Sequence, residues 1–268
     1  MCTSSLRGLV PENQVMTRGD VGQQQGNKVY TDGGVYTGKE KITGKTVIIT
    51  GASAGIGKET AKDLARRGET RLDILINNAG VMFGPRIPTK DGYEMHIGIN
   101  HYGHFLLTNL LIEKLKSSAP SRIINVSSRA HKRGKTNFDY LHAEKYAKHT
   151  CYAQSKLANI LHCLELSKRL AGTGVTANSL HPGVVETELQ RYFIKKCLRI
   201  ILDPIYRMFV KTPFQGAQTS VRLAVDPALE TVSGKYFRET KASAAARNEA
   251  AAKRLWEMSE EITKSKYP

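Results

Sequence analysis

The chain has 268 residues, 40% of them apolar, and carries 40 Lys and Arg against 24 Asp and Glu. That length bounds it to one large domain or two small ones, and the apolar share suffices for a packed core. A net charge of +16 points to an anionic partner: cofactor phosphates, a membrane surface or nucleic acid. Zinc-finger spacing, a basic helix with heptads and an aromatic RNA-binding signature are all missing, so the reading is no nucleic acid. Cys2, Cys151, Cys163 and Cys197 are widely spaced with no Cys-x-x-Cys, which fits free thiols in a reducing, intracellular compartment. No apolar run approaches the ~20 residues that span a bilayer, and the first residues show no leader pattern.

In chain order, residues 1–43 are rich in Gly, Gln, Asn and Thr and are expected to be disordered or loosely attached. The remainder, 44–268, reads as one domain. TVIIT over 46–50 is a short buried strand ending at glycine, and 56–67 is helical. A second buried strand is expected over 72–76, and a long apolar-periodic helix within 93–116. Strand 121–126, helix 149–170 and strand 175–180 follow. The last elements are a helix over 215–225, a short strand over 235–237 and a terminal helix over 245–263. Strands alternating with helices imply an α/β fold: a parallel sheet with helices on both faces.

The chemistry sits where strands end. In TGASAGIG, Gly51, Gly55 and Gly57 lie between a strand and a helix start. Glycines there allow a tight turn and close backbone approach, and the helix N-terminus offers N–H groups to a pyrophosphate. Asn77, Asn78, Ala79 and Gly80 follow the second strand and suit the wall of a cofactor ribose. Asn100 lies on a helix, where a buried amide can bond a main-chain carbonyl and hold a water. His101 and His104, at i,i+3, read as structural histidines, so no metal is expected.

Ser127 and Ser128 end the third strand, and alternation lets only one face the cleft. Tyr152 and Lys156 share a helix face at i,i+4. Tyr192 and Lys196 match the same spacing, but they follow the HPG turn, where the chain is apolar and basic, instead of a strand ending in serines. A phenol near pKa 10 is a poor base at neutral pH. The Lys156 ammonium is expected to lower that value, letting Tyr152 exchange a proton with a substrate oxygen that Ser128 also binds. Lys156 could also hold a nicotinamide ribose. His181, Pro182 and Gly183 then form a turn able to run along a nicotinamide carboxamide, with Thr187 beyond.

TGASAGIG, NNAG, the Asn of INHYGHF, the second Ser of NVSS, YAQSK and HPG occur in that order. The chain resembles a short-chain dehydrogenase/reductase. INNAGVM, NHYGHFLLTNLL, PSRIINVSS, YAQSKLANIL, GTGVTANSLHPGVVETEL and SGKYF resemble the retinol dehydrogenase branch. The resemblance implies a Rossmann-type fold, and NADP(H) as cofactor with NAD(H) left open. It implies oxidation of retinol or reduction of retinal and other lipophilic carbonyls. It gives Asn100, Ser128, Tyr152 and Lys156 catalytic roles. The implied cofactor contacts are Gly51, Ser53, Gly55, Ile56, Gly57, Asn78, Ala79, Gly80, Tyr152, Lys156, Pro182, Gly183, Val185 and Thr187. A homodimer is a further implication.

Two departures stand out. Only 19 residues separate Gly57 from Asn77, room for one helix and one strand. The family pattern has two further strand–helix units there, on the order of 50 residues. Their loss would remove the residue that reads the ribose 2′ position, leave the first strand as an apolar edge, and conflict with the right-handed crossover rule. A catalytically impaired, shortened isoform that pairs with full-length relatives is the competing reading. The second departure is the missing apolar N-terminal anchor of membrane-bound relatives. Residues 192–211 mix apolar and cationic side chains and suit either an interfacial segment or a core helix pair broken at Pro204. The expected location is cytoplasmic, or peripheral on endoplasmic reticulum or mitochondrial membrane.

Overall fold

The computed structural model describes residues 36–51, 71–137, 146–185, 210–238, 241–243 and 248–267. Its strands are β1 (Thr46–Ile49), β2 (Leu72–Asn77), β3 (Ser121–Val126), β4 (Val175–His181), β5 (Tyr236–Arg238) and β6 (Lys241–Ser243). They form one sheet in the order β1-β2-β3-β4-β5-β6. The pairings from β1 through β5 are parallel, and β5–β6 is antiparallel.

Helices α1 (Gly103–Ser117), α2 (Lys148–Arg169), α3 (Pro213–Val225) and α4 (Glu249–Thr263) cover both faces. Strand alternation explains how. Ile74, Ile76, Ile124, Val126, Leu180 and Phe237 face α3 through Val221 and Leu223. Leu75, Ile123 and Ala177 point the other way, onto Phe105, Ile112, Leu166 and Trp256 of the helices opposite. Strands buried on both sides carry apolar residues facing either way, as Ile74–Ile76 and Ile123–Ile124 do, while the buried polar Asp73, Asn77 and Asn125 are hydrogen-bonded.

The helix starts follow from local chemistry. Thr212 and Gln215 form a reciprocal capping box at α3, with Pro213 in its first turn. Asn248 Oδ1 accepts from Ala251 N at 2.9 Å to cap α4. Ahead of α1, Gly98–Tyr102 forms a π-turn after the single helical turn Met95–Ile97. Such turns are local departures from the α-ladder that occur at functional positions.

Two sequence expectations need revision. Packing begins ahead of residue 44: Ile42 is buried in the α3-side core, and Tyr36 N donates to Gln218 Oε1 at 2.9 Å. Ile42 is an apolar residue in a polar stretch, which composition averaged away. Strand β6 was not foreseen, since KAS is three residues long and has no β-branched or aromatic side chain.

β1 stands at one end of the sheet among the described residues, paired through Thr46↔Leu72 and Ile49↔Ile76. The helix expected over 56–67, the hand of the β1–β2 connection and the segment 192–209 lie outside the described residues. So do residues 1–35.

Candidate active site

Parallel sheets place their ligand crevice beyond the carboxyl ends of the strands, and the predicted residues fall there. Gly51 follows β1, Asn78–Gly80 follow β2, Ser128 follows β3, and Pro182, Gly183 and Val185 follow β4. Gly51 has φ 68°, and a Cβ on it would stand 2.9 Å from Ala79 Cα. Glycine at 51 therefore lets the β1 turn lie against the β2 loop. Ser53, Gly55, Ile56, Gly57 and Thr187 lie outside the described residues.

Thr50, at the end of β1, organises the β2 loop. Its Oγ1 accepts from Asn78 N and Ala79 N, each at 2.9 Å, while Asn78 Nδ2 donates to Thr50 O at 2.9 Å. Thr50 Oγ1 also meets His104 Nε2 at 2.8 Å, and His104 Nδ1 meets Asn100 O at 3.1 Å. A hydroxyl that already accepts twice has its proton left to give, so Nε2 is the acceptor and Nδ1–H donates to Asn100 O. Burial holds His104 at about 4, so this neutral tautomer persists at neutral pH. Asn77, expected in the ribose wall, turns instead into the core and donates to Thr108 Oγ1 and Asn125 Oδ1.

Asn100 is fully buried on the π-turn. Its Oδ1 accepts from Val81 N at 2.8 Å, and its Nδ2 donates to Val81 O at 3.0 Å and to Ser155 Oγ at 2.9 Å. The side chain thus clamps the β2 loop to α2, one residue before Lys156.

Lys156 Nζ donates to Val126 O at 3.0 Å, and a Cβ on Gly80 would lie 3.4 Å from that nitrogen. Burial lowers its pKa to about 8. Ser127 Oγ donates to Lys156 O at 2.6 Å. The paired serines therefore divide as alternation requires: Ser127 anchors α2, and Ser128 faces Tyr152. Ser128 Oγ also caps the 3-10 turn Arg129–Arg133 by accepting from Ala130 N.

Tyr152 is 4% exposed. Phe83 packs on it edge-on at 5.3 Å, and the His96 ring lies 6.1 Å away. Its pKa is pushed up to about 12, chiefly by burial, while a hydrogen bond with Ser128 pulls down. The expected lowering by Lys156 is not what this geometry gives. The ammonium is engaged with Val126 O, stands 5.9 Å from the ring centroid, and is itself weakened by burial.

The structure thus gathers Gly80, Asn100, Ser128, Tyr152 and Lys156 around the start of α2. Pro182 and Gly183 leave the neighbouring strand at the same sheet edge, Gly183 with φ 97°. Val185 is buried and bridged to Lys211. Sequence reasoning missed Thr50 and Ser155, and it read His104 as structural without naming its partners, Thr50 and Asn100. Only the i,i+4 spacing of Asn100 and His104 was a usable signal.

A short chain dehydrogenase family model matches residues 67–197. The chain is 44% identical to human "Retinol dehydrogenase 11" over 282 residues, covering 84% of this chain and 88% of that protein. The chain belongs to the short-chain dehydrogenase family of oxidoreductases.

Human "Retinol dehydrogenase 13" is 45% identical, with 85% of this chain and 87% of that protein covered. Among solved structures, an uncharacterized protein from Mycobacterium Paratuberculosis superposes with TM-score 0.68 at 28% identity, covering 89% of this chain and 99% of that one. The 3-ketoacyl-(acyl-carrier-protein) reductase from Brucella melitensis, complexed with NADH, gives TM-score 0.58 at 21% identity, covering 74% and 97%. At that identity it supports the shared short-chain dehydrogenase fold alone.

The described half of the crevice fits the nicotinamide end of a dinucleotide. An ammonium has three N–H groups, and Val126 O takes one of Lys156's, leaving donors for ribose hydroxyls. Gly80 keeps the loop beside it free of a side chain.

Proposed function

We propose that the chain interconverts a lipophilic alcohol and its carbonyl, such as retinol and retinal, using NADP(H), with NAD(H) as the other candidate. The observation that carries this is the clustering of buried Tyr152, Lys156 and Asn100 with half-buried Ser128 at the carboxyl end of the sheet. When bound there, the nicotinamide supplies or takes the hydride. With burial holding Tyr152 at about 12, the phenol is protonated at neutral pH and ready to give its proton to a carbonyl oxygen that becomes an alcohol. Ser128 Oγ positions that oxygen by hydrogen bonding. The Lys156 ammonium is the nearby cation that offsets the phenolate charge left when the proton departs, and Asn100 fixes the segment that carries it. The retinoid substrate class rests on the names of the relatives, and the NADP preference on the family resemblance.

The test is reduction of retinal by the purified chain with NADPH or NADH, read as retinol formed. Tyr152→Phe should lower turnover at least a hundredfold and leave dinucleotide binding within twofold. Unchanged turnover in that variant would remove Tyr152 from the chemistry.

A second reading, a catalytically impaired shortened isoform, also has specific support. The retinol dehydrogenase 11 match runs over 282 positions yet takes in about 225 residues of this chain, leaving about 57 without a counterpart, the size of two strand–helix units. The family model match begins at residue 67, after the glycine-rich turn. A folded chain with no dinucleotide binding would favour this reading.

No helix among the described residues is long and apolar enough to cross a membrane. We propose that the chain works inside the cell, either in the cytoplasm or held peripherally on endoplasmic reticulum or mitochondrial membrane through 192–211, with a homodimer as its assembly. Salt-sensitive binding to anionic vesicles checks the first and sedimentation the second.

A further inference from the structure

A buried carboxylate–imidazole pair stands beside Tyr152 and takes no part in the chemistry set out above. Glu94 Oε1 lies 2.6 Å from His96 Nδ1, and the two residues are 1% and 0% exposed. A carboxylate only accepts, so Nδ1 gives the proton of this bond. Glu94 Oε2 accepts from Ile97 N at 3.1 Å and caps the single turn Met95–Ile97. The Glu94 backbone is bridged antiparallel to Pro88, so the pair hangs on the loop that leaves β2. The imidazole is therefore held at one nitrogen by a carboxylate that is itself fixed at its second oxygen.

The ring lies against the start of α2. It stacks with Tyr146 at a centroid distance of 6.2 Å and stands edge-on to Tyr152 at 6.1 Å and 71°. Tyr146 is pinned in turn by donating its hydroxyl to Gly84 O. Burial, and next the Glu94 charge, raise the Tyr146 phenol above its usual range, so the carboxylate is felt at this end of the helix. Phe83, from the same loop, meets Tyr152 edge-on at 5.3 Å and 70°. Two rings from one loop thus set the tilt of the phenol, in the geometry that aromatic pairs prefer. Packing alone does not account for a histidine here. Nε2 is buried with no hydrogen-bond partner, and the buried carboxylate needs the imidazole beside it. A hydrocarbon pair would fill the space at neither cost. What Glu94 and His96 add is a ring whose rotation is set by a hydrogen bond and not by contact alone.

We propose that His96, oriented by Glu94, is a positioning residue for Tyr152, holding the phenol at the angle from which its hydroxyl serves the substrate oxygen. This role rests on the proposed alcohol–carbonyl reaction, in which Tyr152 gives the proton. It requires no contact of His96 with substrate or dinucleotide. Substitution at 96 therefore acts on the turnover step and leaves nucleotide affinity alone.

The test compares the full chain with its His96→Leu and Glu94→Gln variants by two readouts. One is retinal reduction with NADPH and with NADH. The other is NMR of chain labelled with carbon-13 at tyrosine Cζ, the Tyr152 line being assigned from Tyr152→Phe. His96→Leu should lower kcat about tenfold or more, the scale of a misplaced reacting group. It should leave KM for the dinucleotide within twofold and should move the Tyr152 line. In Glu94→Gln an amide still bonds Nδ1 while the acceptor for Ile97 N is given up, so stability should fall but kcat should stay within threefold of the parent. Should His96→Leu fail to fold, the double variant Glu94→Leu with His96→Leu leaves no unpaired charge and takes its place. Unchanged kcat in a folded leucine variant overturns the proposal. So does a loss of nucleotide affinity in step with kcat, which marks a general loosening of the fold. A parent that turns over no retinal counts against the reaction, and the Tyr152 line then decides this role. A line that moves in the leucine variant and stays in Glu94→Gln supports it, and a line unmoved in the leucine variant overturns it.

Discussion

Asn100 Nδ2 donates to Ser155 Oγ at 2.9 Å, tying the π-turn before α1 to the helix that carries both Tyr152 and Lys156. The amide's other donor goes to Val81 O, so every N–H of this buried group is used. Ser155→Ala removes one partner and leaves a buried N–H unpaired, at a cost of about 1–3 kcal/mol. Urea unfolding should show that loss, and turnover should fall about tenfold because the clamp beside Lys156 loosens. Equal stability and turnover would mean that the bond positions nothing.

Thr50 is the node of the β2 loop. Thr50→Val keeps the shape but removes the oxygen that Asn78 N, Ala79 N and His104 Nε2 share. The expected outcome is a loss of about 2 kcal/mol and dinucleotide binding weakened at least tenfold. Thr50→Ser restores both, since only the hydroxyl matters. A Ser variant as weak as the Val variant would show that packing of the methyl is what counts.

Much of the frame could be read in advance. Strands 46–50, 72–76, 121–126, 175–180 and 235–237 are found within a residue or two, because apolar and β-branched runs such as TVII, ILI and II mark the central ones and turn residues bound the rest. The hydroxyls, phenol and ammonium of the site could be named because each follows a strand or shares a helix face. Three things could not. Thr50 and Ser155 act through partners far along the chain, so no local pattern marks them. The π-turn at Asn100 depends on Val81 and Ser155 holding it. The sign of the Tyr152 shift turned on burial, which is a property of packing around Phe83 and His96 and not of the spacing to Lys156.

Stability should carry the mark of Lys156. Its folded-state pKa, about 8, lies below the ordinary 10.5, so the unfolded chain binds more protons between those values. Burying the charged form therefore penalises the fold below pH 8, by about 3 kcal/mol on the usual conversion. That penalty fades as pH rises from 8 toward 10.5. Lys156→Met should be more stable than the parent at pH 7, with the gap narrowing by pH 9.5. Above pH 10 Tyr152 acts in the opposite sense, because its raised pKa keeps a proton that the unfolded chain loses. A gap constant from pH 7 to 9.5 would contradict the assigned burial of the ammonium. Denaturant midpoints across that range read it directly.

Trp256 is 1% exposed, edge-on to Phe105 at 4.9 Å, with the Arg169 guanidinium 4.3 Å over its ring. It links α4 to α1 and the end of α2. Trp256→Ala should cost about 3–5 kcal/mol, and Arg169→Ala about 1 kcal/mol. Neither should change the dinucleotide affinity of the fraction that remains folded. A loss below 1 kcal/mol for Trp256→Ala would mean that α4 is not needed for the core.

The central claim is that the Tyr152–Lys156 crevice holds a nicotinamide dinucleotide despite the short span between Gly57 and Asn77. Titration of NADPH and of NADH into the purified, folded chain, followed by calorimetry, tests it most directly. The account predicts saturable binding of at least one of them, weakened more than tenfold by Lys156→Ala. A cooperatively folded chain that takes up neither nucleotide would contradict it.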